Sequence, residues 1–543
     1  MKRKAVAAVL TAVMVASMFT GCGSDKGSSS AKSTSAASAA NDTVDEDGKV
    51  NGIMYQEGLP LVDEGAYTFS IFCDDSSESG EFIMLDEFKK QTNVDVDLKI
   101  YPYETATERL NLDLNSGDYA DVIGGWTLSD NAILTYGVNQ GVFIPLEDYF
   151  EKYCPNISAI LDLPGVREKM TAPDGHIYTI PYVCADSTVG YSPYINTKWL
   201  ENVGMSMPTT TDEFEAVLKA FKEQDANGNG DASDEIPFST DPNNKHIEAM
   251  AGYFGLPMNG LGIAIQNEKV VYGGVSDTYR EFLSWFHKLY AEGLVDVELY
   301  TQDSSTWEGK GNQDLYGVSI AYGSGEFTGI PAAEERGDFD SMPVLNTDKD
   351  GIWLRDTEGF SVYRTQAVIT NKAEHPEIIC RWFDNAFALE NGIGCNRGPV
   401  GVIVNKEDDG YHAIDTTTLS EEDQEKYSWG NLWPQSLPKY LPADFEFVEE
   451  HPMYDEKKAT EEAYEANLTK EIIPSYWIDL DKIDTFSDTN TAIKDFFEQQ
   501  QAQFVCGELD IDNDADWQAY VDGMYSLGLE DWVATQGIEE IAK

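Results

Sequence analysis

The stretch Tyr67-Thr68-Phe69-Ser70-Ile71-Phe72-Cys73 alternates apolar and polar side chains in the manner of a β-strand. Residues 81–91 follow with apolar side chains at helical spacing, and Val94-Asp95-Val96-Asp97-Leu98-Lys99-Ile100 alternates again. A second helical stretch, residues 105–115, leads to a short apolar strand at residues 120–125. Strands that alternate with helices indicate βαβ units, so the sequence predicts an α/β fold with a mainly parallel sheet.

The carboxyl ends of these strands are where a ligand is expected, because ligands of such sheets bind beyond that edge. Asp74, Asp75 and Glu78 follow the first strand, and Trp126 and Asp130 follow the short apolar strand. Each of these side chains could bind a ligand. The alternative is a solvated surface position for the carboxylates and a core position for Trp126.

Length and charge narrow the class of protein further. A chain of 543 residues is too long for a single hydrophobic core. Its length predicts two large lobes or two to three domains. It carries 96 acidic against 37 basic side chains, a net charge of −59. Nucleic-acid binding needs a basic surface, so that function is excluded. The electrostatic field of this negative charge repels anionic membrane surfaces and polyanionic ligands, but it is compatible with a neutral ligand.

The N-terminus predicts export and a lipid anchor. Lys2-Arg3-Lys4 precedes an apolar run from Ala5 to Phe19, which is too short for a membrane span. Phe19-Thr20-Gly21-Cys22 is similar to a bacterial lipobox, which makes residues 1–21 a signal peptide and Cys22 the lipidated first residue. The alternative is a plain secretory signal. Residues 1–21 hold three cations and no acid, so the mature charge is −59 − 3 = −62.

Residues 22–52 are predicted to form a flexible tether, because they are rich in small and polar side chains and hold few large apolar ones. The chain should therefore lie at the extracellular face of the cell membrane. Six cysteines remain beyond Cys22, without CxxC or zinc spacing, and we interpret them as buried apolar side chains rather than as a disulfide framework.

Catalytic signatures are missing from the sequence. It contains no GxSxG, HExxH or GxxxxGK[ST] motif, and Gly260-Leu261-Gly262 lacks the third glycine of a dinucleotide-binding loop. Carboxylates are so abundant that their number does not identify a glycosidase pair. We therefore expect a protein that is not an enzyme, with a secreted glycoside hydrolase as the weakest alternative.

A calcium-like loop follows a predicted helix that begins near Thr210 and buries the stripe Phe214, Val217, Leu218 and Phe221. Oxygen donors recur at alternate loop positions, with Gly230 at the sixth, as in an EF-hand. The twelfth position is Ile instead of Glu, so an acid one or two residues earlier would close the site. The predicted ligands of this structural calcium are Asp225, Asn227, Asn229, Asp231, Asp234 and Glu235. The alternative is a metal-free Asx/Gly-rich turn.

Several motifs carry a family resemblance. Asp174-Gly175-His176-Ile177-Tyr178-Thr179-Ile180-Pro181, Tyr194-Ile195-Asn196-Thr197-Lys198-Trp199-Leu200 and Gly507-Glu508-Leu509-Asp510 resemble the family 1 extracellular solute-binding proteins. These are the substrate-capturing lipoproteins of carbohydrate ABC transporters. The calcium-like loop is similar to that of the branch that includes alginate-oligosaccharide binders, with an insertion around Ala232-Ser233. The resemblance covers about residues 65–540.

The resemblance implies a periplasmic-binding-protein-like fold of type II, with two α/β lobes and the ligand in the cleft between them. Residues 53–182 and 366–400 are then assigned to lobe 1, and residues 183–365 with the calcium-like loop to lobe 2. Residues 401–543 form a mostly helical part shared by both lobes. The chain should cross between the lobes near Tyr182 to Asp186, near Arg364 to Ala367 and near Pro399 to Val404. Such an architecture closes over its ligand by a hinge.

Sugar recognition needs flat aromatic rings for the ring faces and polar groups for the hydroxyls. The aromatic candidates are Trp126, Tyr182 and Tyr322, with Trp353 and Trp433 as weaker ones. The polar candidates are Asp74, Asp75, Glu78, Asp130, Arg364 and Arg397. For each aromatic the alternative is a core position, and for each arginine it is a pair with a buried carboxylate.

We therefore expect a lipid-anchored, monomeric solute-binding protein that captures a neutral oligosaccharide and delivers it to the permease subunits of an ABC importer. The alternative on the same fold is a receptor for a peptide or an amino sugar. The identity, linkage and length of the ligand do not follow from the sequence.

Overall fold

The alternation of strands and helices expected from the sequence is present in the computed structural model of the chain. The structure describes residues 42–75, 81–241, 246–329, 337–442, 445, 447–448 and 452–542. All of them fall within one compact unit, residues 37–543. The predicted signal peptide, Cys22 and Glu78 lie outside the described residues. The α/β prediction is confirmed.

The strands are numbered in chain order. They are β1 Lys49–Val50, β2 Met54–Tyr55, β3 Tyr67–Asp74, β4 Val94–Tyr101, β5 Val122–Gly124, β6 Thr179–Ala185, β7 Ser192–Asn196, β8 Ile236–Thr240, β9 Ile263–Gln266, β10 Lys269–Tyr272, β11 Tyr316–Ala321, β12 Phe339–Ser341, β13 Phe360–Ile369, β14 Val404–Glu407, β15 Gly410–Ala413 and β16 Glu540–Ile541.

The helices connect and cover these strands. The α-helices span Ile83–Thr92, Tyr103–Ser116, Asp130–Ala132, Glu147–Tyr153, Pro155–Leu161, Val166–Met170, Thr197–Val203, Thr211–Glu223, Asp277–Ala291, Ser304–Asn312, Gly325–Thr328, Pro376–Ala386, Leu389–Arg397, Glu421–Lys426, Pro452–Tyr464, Ile483–Cys506, Asp514–Ser526 and Leu529–Thr535. A π-helix spans Ile133–Asn139, and 3-10 helices span Ile247–Phe254, Thr416–Thr418, Trp429–Asn431, Glu465–Asn467 and Leu480–Lys482. Among the described helices, none is both long and apolar enough to cross a membrane.

Lobe 1 is built on a five-stranded sheet with the order β4-β3-β5-β13-β6. Strand β3 is parallel to β4 and β5, whereas β13 is antiparallel to β5 and β6. Apolar side chains cover both faces of this sheet. Phe88 and Trp382 pack with the core on one face, and Leu110 and Tyr178 pack on the other. Two buried faces explain the continuous apolar run of β5.

Lobe 2 contains a four-stranded sheet with the order β12-β7-β11-β8 and a three-stranded sheet with the order β16-β10-β9. Its core draws on residues 189–353 and on residues 464–542. The C-terminal helices therefore belong mainly to this lobe, since Trp517 and Trp532 are buried in it.

Strands β6 and β13 join the lobes. They run antiparallel and place Tyr182 opposite Tyr363 and Val183 opposite Val362. The register shifts between Tyr363 and Ala367, so the intervening residues form a bulge at the junction. Strand β6 contains Tyr182 and β13 contains Arg364, the residues near which the sequence predicts the first two crossings.

The third crossing lies later in the chain than Pro399 to Val404. Ile403 and Val404 are buried, and the neighbouring Lys406 pairs with Glu390 of the helix Leu389–Arg397 at 2.7 Å. Tyr440 still forms a parallel bridge to Val183 of β6, and the helix Pro452–Tyr464 contacts lobe 2. The crossing therefore follows Tyr440.

The predicted tether is also shorter than expected at its C-terminal end. Residues 42–52 pack on lobe 1, where β1 pairs with β2 and Val50 is buried. The Asn51 amide donates to the Glu377 carboxylate at 2.9 Å, and the Tyr153 hydroxyl donates to Asp42 at 2.7 Å. These polar anchors lie between small and charged residues, which is why composition alone did not reveal them.

Candidate ligand-binding site

The carboxyl end of β3 orients Trp126. Asp74 is fully buried, and its two carboxylate oxygens accept the backbone N–H groups of Trp126 at 2.9 Å and Thr127 at 2.6 Å. Gly125 has a φ of +129°, and a Cβ there would collide with the Asp74 carboxylate. Asp74 therefore shapes the loop that presents Trp126, and its engaged oxygens make it a positioning residue rather than the ligand contact expected from the sequence.

Three aromatic rings meet at the junction of the lobes. Trp126 is 45% exposed, and its ring centroid lies 5.3 Å from that of Tyr363 and 6.4 Å from that of Tyr182. The rings of Tyr182 and Tyr363 are 5.4 Å apart, because the strand register sets these residues opposite each other. An exposed indole with two phenol rings beside it is a surface on which the apolar face of a sugar can stack.

Asp186 connects this aromatic cluster to lobe 2. Its carboxylate accepts the hydroxyl of Tyr322 at 3.0 Å, that of Tyr363 at 3.1 Å and that of Ser361 at 2.5 Å. Its Oδ1 also accepts the backbone N–H of Ser187 at 2.9 Å. Tyr322 belongs to lobe 2 and Tyr363 to a crossing strand, so one carboxylate holds rings from both elements.

A cavity of about 460 Å³ opens beside Asp186. Both polar and apolar side chains line it. The lining residues are Asp186, Ser187, Gly190, Tyr191, His246, Ala249, Met258, Asn259, Gly260, Tyr322, Trp353, Leu354, Asp356, Thr357, Ser361 and Tyr363. Its size and mixed lining are typical of a site for a small organic ligand.

One wall of the cavity is a stacked pair of rings. The rings of Tyr191 and His246 are nearly parallel, with an interplanar angle of 13° and centroids 3.9 Å apart. Burial lowers the pKa of His246 to about 4, so its imidazole is neutral at physiological pH. The pair therefore adds aromatic surface without positive charge.

The wall contributed by lobe 2 is acidic. Glu326 and Asp356 are exposed at the surface of the cleft, while partial desolvation by the surrounding protein raises the pKa of Glu326 to about 7 and that of Asp356 to about 6. Asp241 and Glu308 lie close enough to Glu326 to raise its pKa further. Because Glu326 and Asp356 are solvent-exposed, hydroxyl groups of a ligand can reach these carboxylates and donate hydrogen bonds to them.

Lys457 is the basic side chain that faces this wall. Its Nζ donates to the carbonyl oxygens of Gly190 at 2.5 Å and Tyr322 at 2.7 Å, and it lies 3.9 Å from the centroid of the Tyr322 ring. Burial lowers the pKa of Lys457 to about 8. Lys457 therefore covers one face of Tyr322, the Tyr191 ring packs against it edge-to-face with centroids 6.1 Å apart, and Tyr322 lines the cavity.

Asp130 and Arg364 form an ion pair with each other. The Arg364 Nε donates to Asp130 Oδ1 at 2.8 Å, and a second, shorter bond joins Nη2 to Oδ2. The guanidinium also lies 4.1 Å from the centroid of the Trp477 ring and donates to the Tyr476 carbonyl. Both residues therefore have partners within the protein, and their polar atoms join the bulge of β13 to the segment around Trp477.

Three other candidates lie in or near the cores. Trp353 is 1% exposed and packs 5.7 Å from Tyr253, so it reaches the cavity only as part of its wall. Trp433 is fully buried and stacks on Trp382. Burial lowers the pKa of Arg397 to about 10, and its Nη1 donates to the Asn396 carbonyl. Trp353 and Trp433 are buried because two lobes must fill a large apolar volume.

Asp75 also acts on the backbone. It is 3% exposed, and its Oδ2 accepts the backbone N–H of Gln435 at 2.7 Å. Asp74 and Asp75 therefore hold two different loops at the end of β3, and neither presents a free carboxylate edge to the cleft as the sequence had suggested.

Sequence reasoning missed much of the lobe 2 wall. From the sequence, Asp186 is expected only at a crossing between the lobes. Tyr363, Tyr191, His246 and Asp356 are not among the expected ligand contacts. Tyr363 could have been found from the expectation that two crossing strands pair near Tyr182. Tyr191 and His246 carry no comparable signal, because their proximity depends on tertiary packing.

The calcium-like loop has the geometry of a wrapped chain. The helix Thr211–Glu223 precedes it, and Phe214 and Phe221 are buried as predicted. The carboxylate of Asp225 accepts the N–H of Gly230 at 3.0 Å, and the Asn229 side-chain oxygen accepts the N–H of Asp231 at 2.8 Å. Because backbone N–H groups of the loop donate to these side-chain oxygens, the loop is held in a tightly curved conformation.

Two carboxylate oxygens of this loop fit a cation. Asp225 Oδ1 and Glu235 Oε2 are buried without a hydrogen-bond partner, whereas the other oxygen of Glu235 accepts the N–H of Ala226 at 2.8 Å. A buried carboxylate oxygen without a partner is costly, and a hard divalent cation would satisfy both oxygens. Asp234 instead accepts the side-chain amide of Asn229 at 2.7 Å. Glu235, at the eleventh position, therefore fits the role of the missing twelfth-position acid.

Comparisons with known proteins agree with this architecture. A family model for bacterial extracellular solute-binding proteins matches residues 76–392. The fructooligosaccharide ABC transporter substrate-binding protein FusA of Streptococcus pneumoniae is 32% identical over 379 residues, which cover 67% of this chain and 68% of FusA.

Two solved structures are similar over nearly their whole lengths. An EF-hand mutant of S. pneumoniae FusA in complex with fructo-nystose has a TM-score of 0.74 and 27% identity, and the match covers 86% of this chain and 98% of that one. The alginate-binding protein AlgQ2 without calcium ion has a TM-score of 0.72 and 22% identity, over 89% of this chain and 99% of that one. The second likeness bears on the fold alone.

Proposed function

The chain belongs to the bacterial extracellular solute-binding protein family, and we propose that it captures a neutral oligosaccharide between its lobes for an ABC importer. The observation that carries this proposal is the joint placement of Trp126, Tyr363 and Asp186 at the crossing strands. Trp126 and Tyr363 offer a stacking surface there, and Asp186 holds the rings of Tyr322 and Tyr363 in place beside it. Fructo-oligosaccharides are the first class to test, because FusA is a fructooligosaccharide-binding relative.

The charge of the cleft supports a neutral ligand. Asp186 and Asp356 line the cavity, and Glu326 lies beside it with Asp241 and Glu308 near it. A uronate would bring a like charge to these carboxylates, whereas hydroxyl groups would donate hydrogen bonds to them. An amino sugar would also suit this wall, so a preference for amino sugars is the alternative outcome of a ligand screen.

Capture proceeds by stacking and closure. A sugar ring stacks on Trp126 of lobe 1, and its hydroxyls donate to carboxylates of lobe 2, so both sets of contacts form together only when the lobes approach each other. Rotation occurs about β6 and β13, which hold Tyr182 and Tyr363 in register. The closed, loaded form then docks on the permease subunits as a monomer, and reopening releases the ligand.

A calorimetric screen of the purified protein tests this function. Neutral oligosaccharides, their uronate counterparts and amino-sugar oligosaccharides should be compared at equal chain length. We expect a neutral series to bind, and a ligand at 100 times its dissociation constant to add roughly 2.7 kcal/mol of stability. Release of reducing sugar during incubation would instead reveal a hydrolase, since the proposed protein performs no chemistry.

We further propose that Cys22 carries the lipid anchor that holds the protein at the extracellular face of the membrane. Replacing Cys22 with alanine should release the protein into the medium, because the attached acyl chains supply the membrane affinity. Fractionation of cells that express each form measures this. A Cys22→Ala protein that stays with the membranes would contradict the anchor.

Calcium is proposed to bind Asp225 and Glu235 and to stabilise the loop between Thr211–Glu223 and β8. Chelation should lower the melting temperature without preventing folding, because the two lobe cores remain. Asp225→Ala should melt like the chelated protein and no longer respond to added calcium. The matched control Asp340→Ala, an exposed position on β12, should keep the full calcium response. Identical melting curves with calcium and with chelator would favour the metal-free turn.

A further inference from the structure

The structure contains eleven tryptophans, all within its described residues, and two of them are exposed. Trp126 is 45% exposed and belongs to the site described above. Trp429 is 50% exposed and has no part in that site. The other nine tryptophans are buried or partly buried, as expected of large aromatic side chains that stabilise a fold by burial.

Trp429 is held at the same edge of the lobe 1 sheet as Trp126. The end of β3 places two buried carboxylates in succession, Asp74 and Asp75. Asp74 accepts the backbone N–H of Trp126. Asp75 accepts the backbone N–H of Gln435, and the Gln435 side-chain amide donates to the Trp429 carbonyl at 3.0 Å. Each carboxylate therefore fixes one loop that presents a tryptophan beyond the carboxyl end of β3.

The inner side of Trp429 is fixed by a buried cation. Lys439 is 2% exposed, its Nζ lies 5.6 Å from the centroid of the Trp429 ring, and it donates to the Gln435 side-chain oxygen at 2.8 Å. A cation against one face of an indole restrains the ring. The exposed half of the ring is then a flat surface with a defined orientation, as a stacking platform requires.

We propose that Trp429 is a second sugar-stacking platform on lobe 1, which binds additional units of the oligosaccharide chain whose first units occupy the cavity and Trp126. This proposal rests on the proposed function. The occupant is an uncharged sugar unit, because the outer face of an indole matches the apolar face of a sugar ring. The protein would therefore bind longer oligosaccharides with higher affinity than short ones.

The experiment measures affinity as a function of ligand length. A size-defined ladder of inulin-type fructo-oligosaccharides, from a trisaccharide upward, is titrated by calorimetry into the unmodified protein, Trp429→Ala and Trp429→Leu. For the longer members we expect about a tenfold loss of affinity in both variants. For the shortest member that the unmodified protein binds, we expect unchanged affinity. Trp126→Ala should weaken binding of every length.

Two controls separate the platform from a structural role. Tyr525→Ala removes an aromatic ring that is 42% exposed on the helix Asp514–Ser526 of lobe 2, and it should leave the whole ladder unaffected. Trp429→Leu keeps an apolar side chain over Lys439, so it remains informative if the alanine variant folds poorly.

Equal affinities of Trp429→Leu and the unmodified protein at every length would overturn the inference, as would an equal loss at every length. If the unmodified protein binds no member of this ladder and no other neutral oligosaccharide, the proposed function fails, and the inference fails with it. Those results differ from a failure of the platform alone, in which the ladder binds but its longer members gain nothing from Trp429.

Discussion

Replacing Asp186 with alanine should lower oligosaccharide affinity about 100-fold or more. The carboxylate accepts the hydroxyls of Tyr322, Tyr363 and Ser361, so its loss releases aromatic rings of lobe 2 and of the crossing strand together. Hydrogen bonds to a charged group contribute about 1.5–3 kcal/mol each, and a loss of about 3 kcal/mol corresponds to more than 100-fold in affinity. Calorimetric titration with the bound oligosaccharide measures the effect.

The stability of the free protein should change less than its affinity. The hydroxyls that lose Asp186 line or border the cavity, where water can replace the carboxylate, so we expect a loss of about 1 kcal/mol in the free energy of unfolding. Asp340→Ala is the matched control, because it removes an exposed carboxylate on β12. Wild-type affinity in Asp186→Ala would show that neither this carboxylate nor the rings it holds contact the ligand.

Tyr322→Phe and Tyr363→Phe divide the effect of Asp186 into its parts. Each substitution removes one hydroxyl and keeps the ring. If Asp186 acts mainly by orienting the rings, the double variant should reproduce most of the affinity loss. If Asp186 acts mainly by direct contact with sugar hydroxyls, the double variant should bind nearly as tightly as the unmodified protein.

Replacing Asp130 with alanine should have its largest effect on stability rather than on binding. The Arg364 guanidinium is 6% exposed and would lose its carboxylate partner, while Asp130 itself is 30% exposed. Removing one partner of a buried pair costs 3–5 kcal/mol, and the partial exposure of Asp130 reduces the expected loss to about 2–3 kcal/mol. Chemical denaturation of the ligand-free protein measures this loss.

Two variants at this pair discriminate between the roles. Asp130→Asn keeps the shape and removes the charge, so it should lose part of the same stability. Affinity of the folded fraction should stay close to that of the unmodified protein in both variants. A large loss of affinity with unchanged denaturation would restore the ligand contact that the sequence suggested for Asp130 and Arg364.

Local patterns predicted much of the lobe 1 half of the site. Alternation located β3, and two glycines at the end of β5 pointed to Trp126 as a loop residue near the cleft. The stripe of Phe214 and Phe221 located the helix before the calcium-like loop. These features depend on neighbours within a few residues, which is the range over which periodicity and turn chemistry act.

The rest of the site depends on distant pairings that periodicity does not encode. Asp130 and Arg364 are 234 residues apart in the sequence. Their ion pair depends on the bulge of β13, for which the sequence carries no local signal. Asp186 is one of 96 acidic residues, so its type carried no information without its three hydroxyl partners. The third crossing was expected too early, because an extended segment up to Tyr440 lies against lobe 1 before the chain leaves it.

We propose that a neutral oligosaccharide binds between the lobes at the site formed by Trp126, Tyr363 and Asp186. The most direct test is a calorimetric titration of the unmodified protein and of Asp186→Ala with neutral oligosaccharides and with uronate oligosaccharides of the same length. We expect the unmodified protein to bind a neutral series and to bind the uronates weakly or not at all, and we expect the variant to lose about 100-fold in affinity for the neutral series. Tight binding of the uronates, or equal affinity of the two proteins for the neutral series, would contradict it.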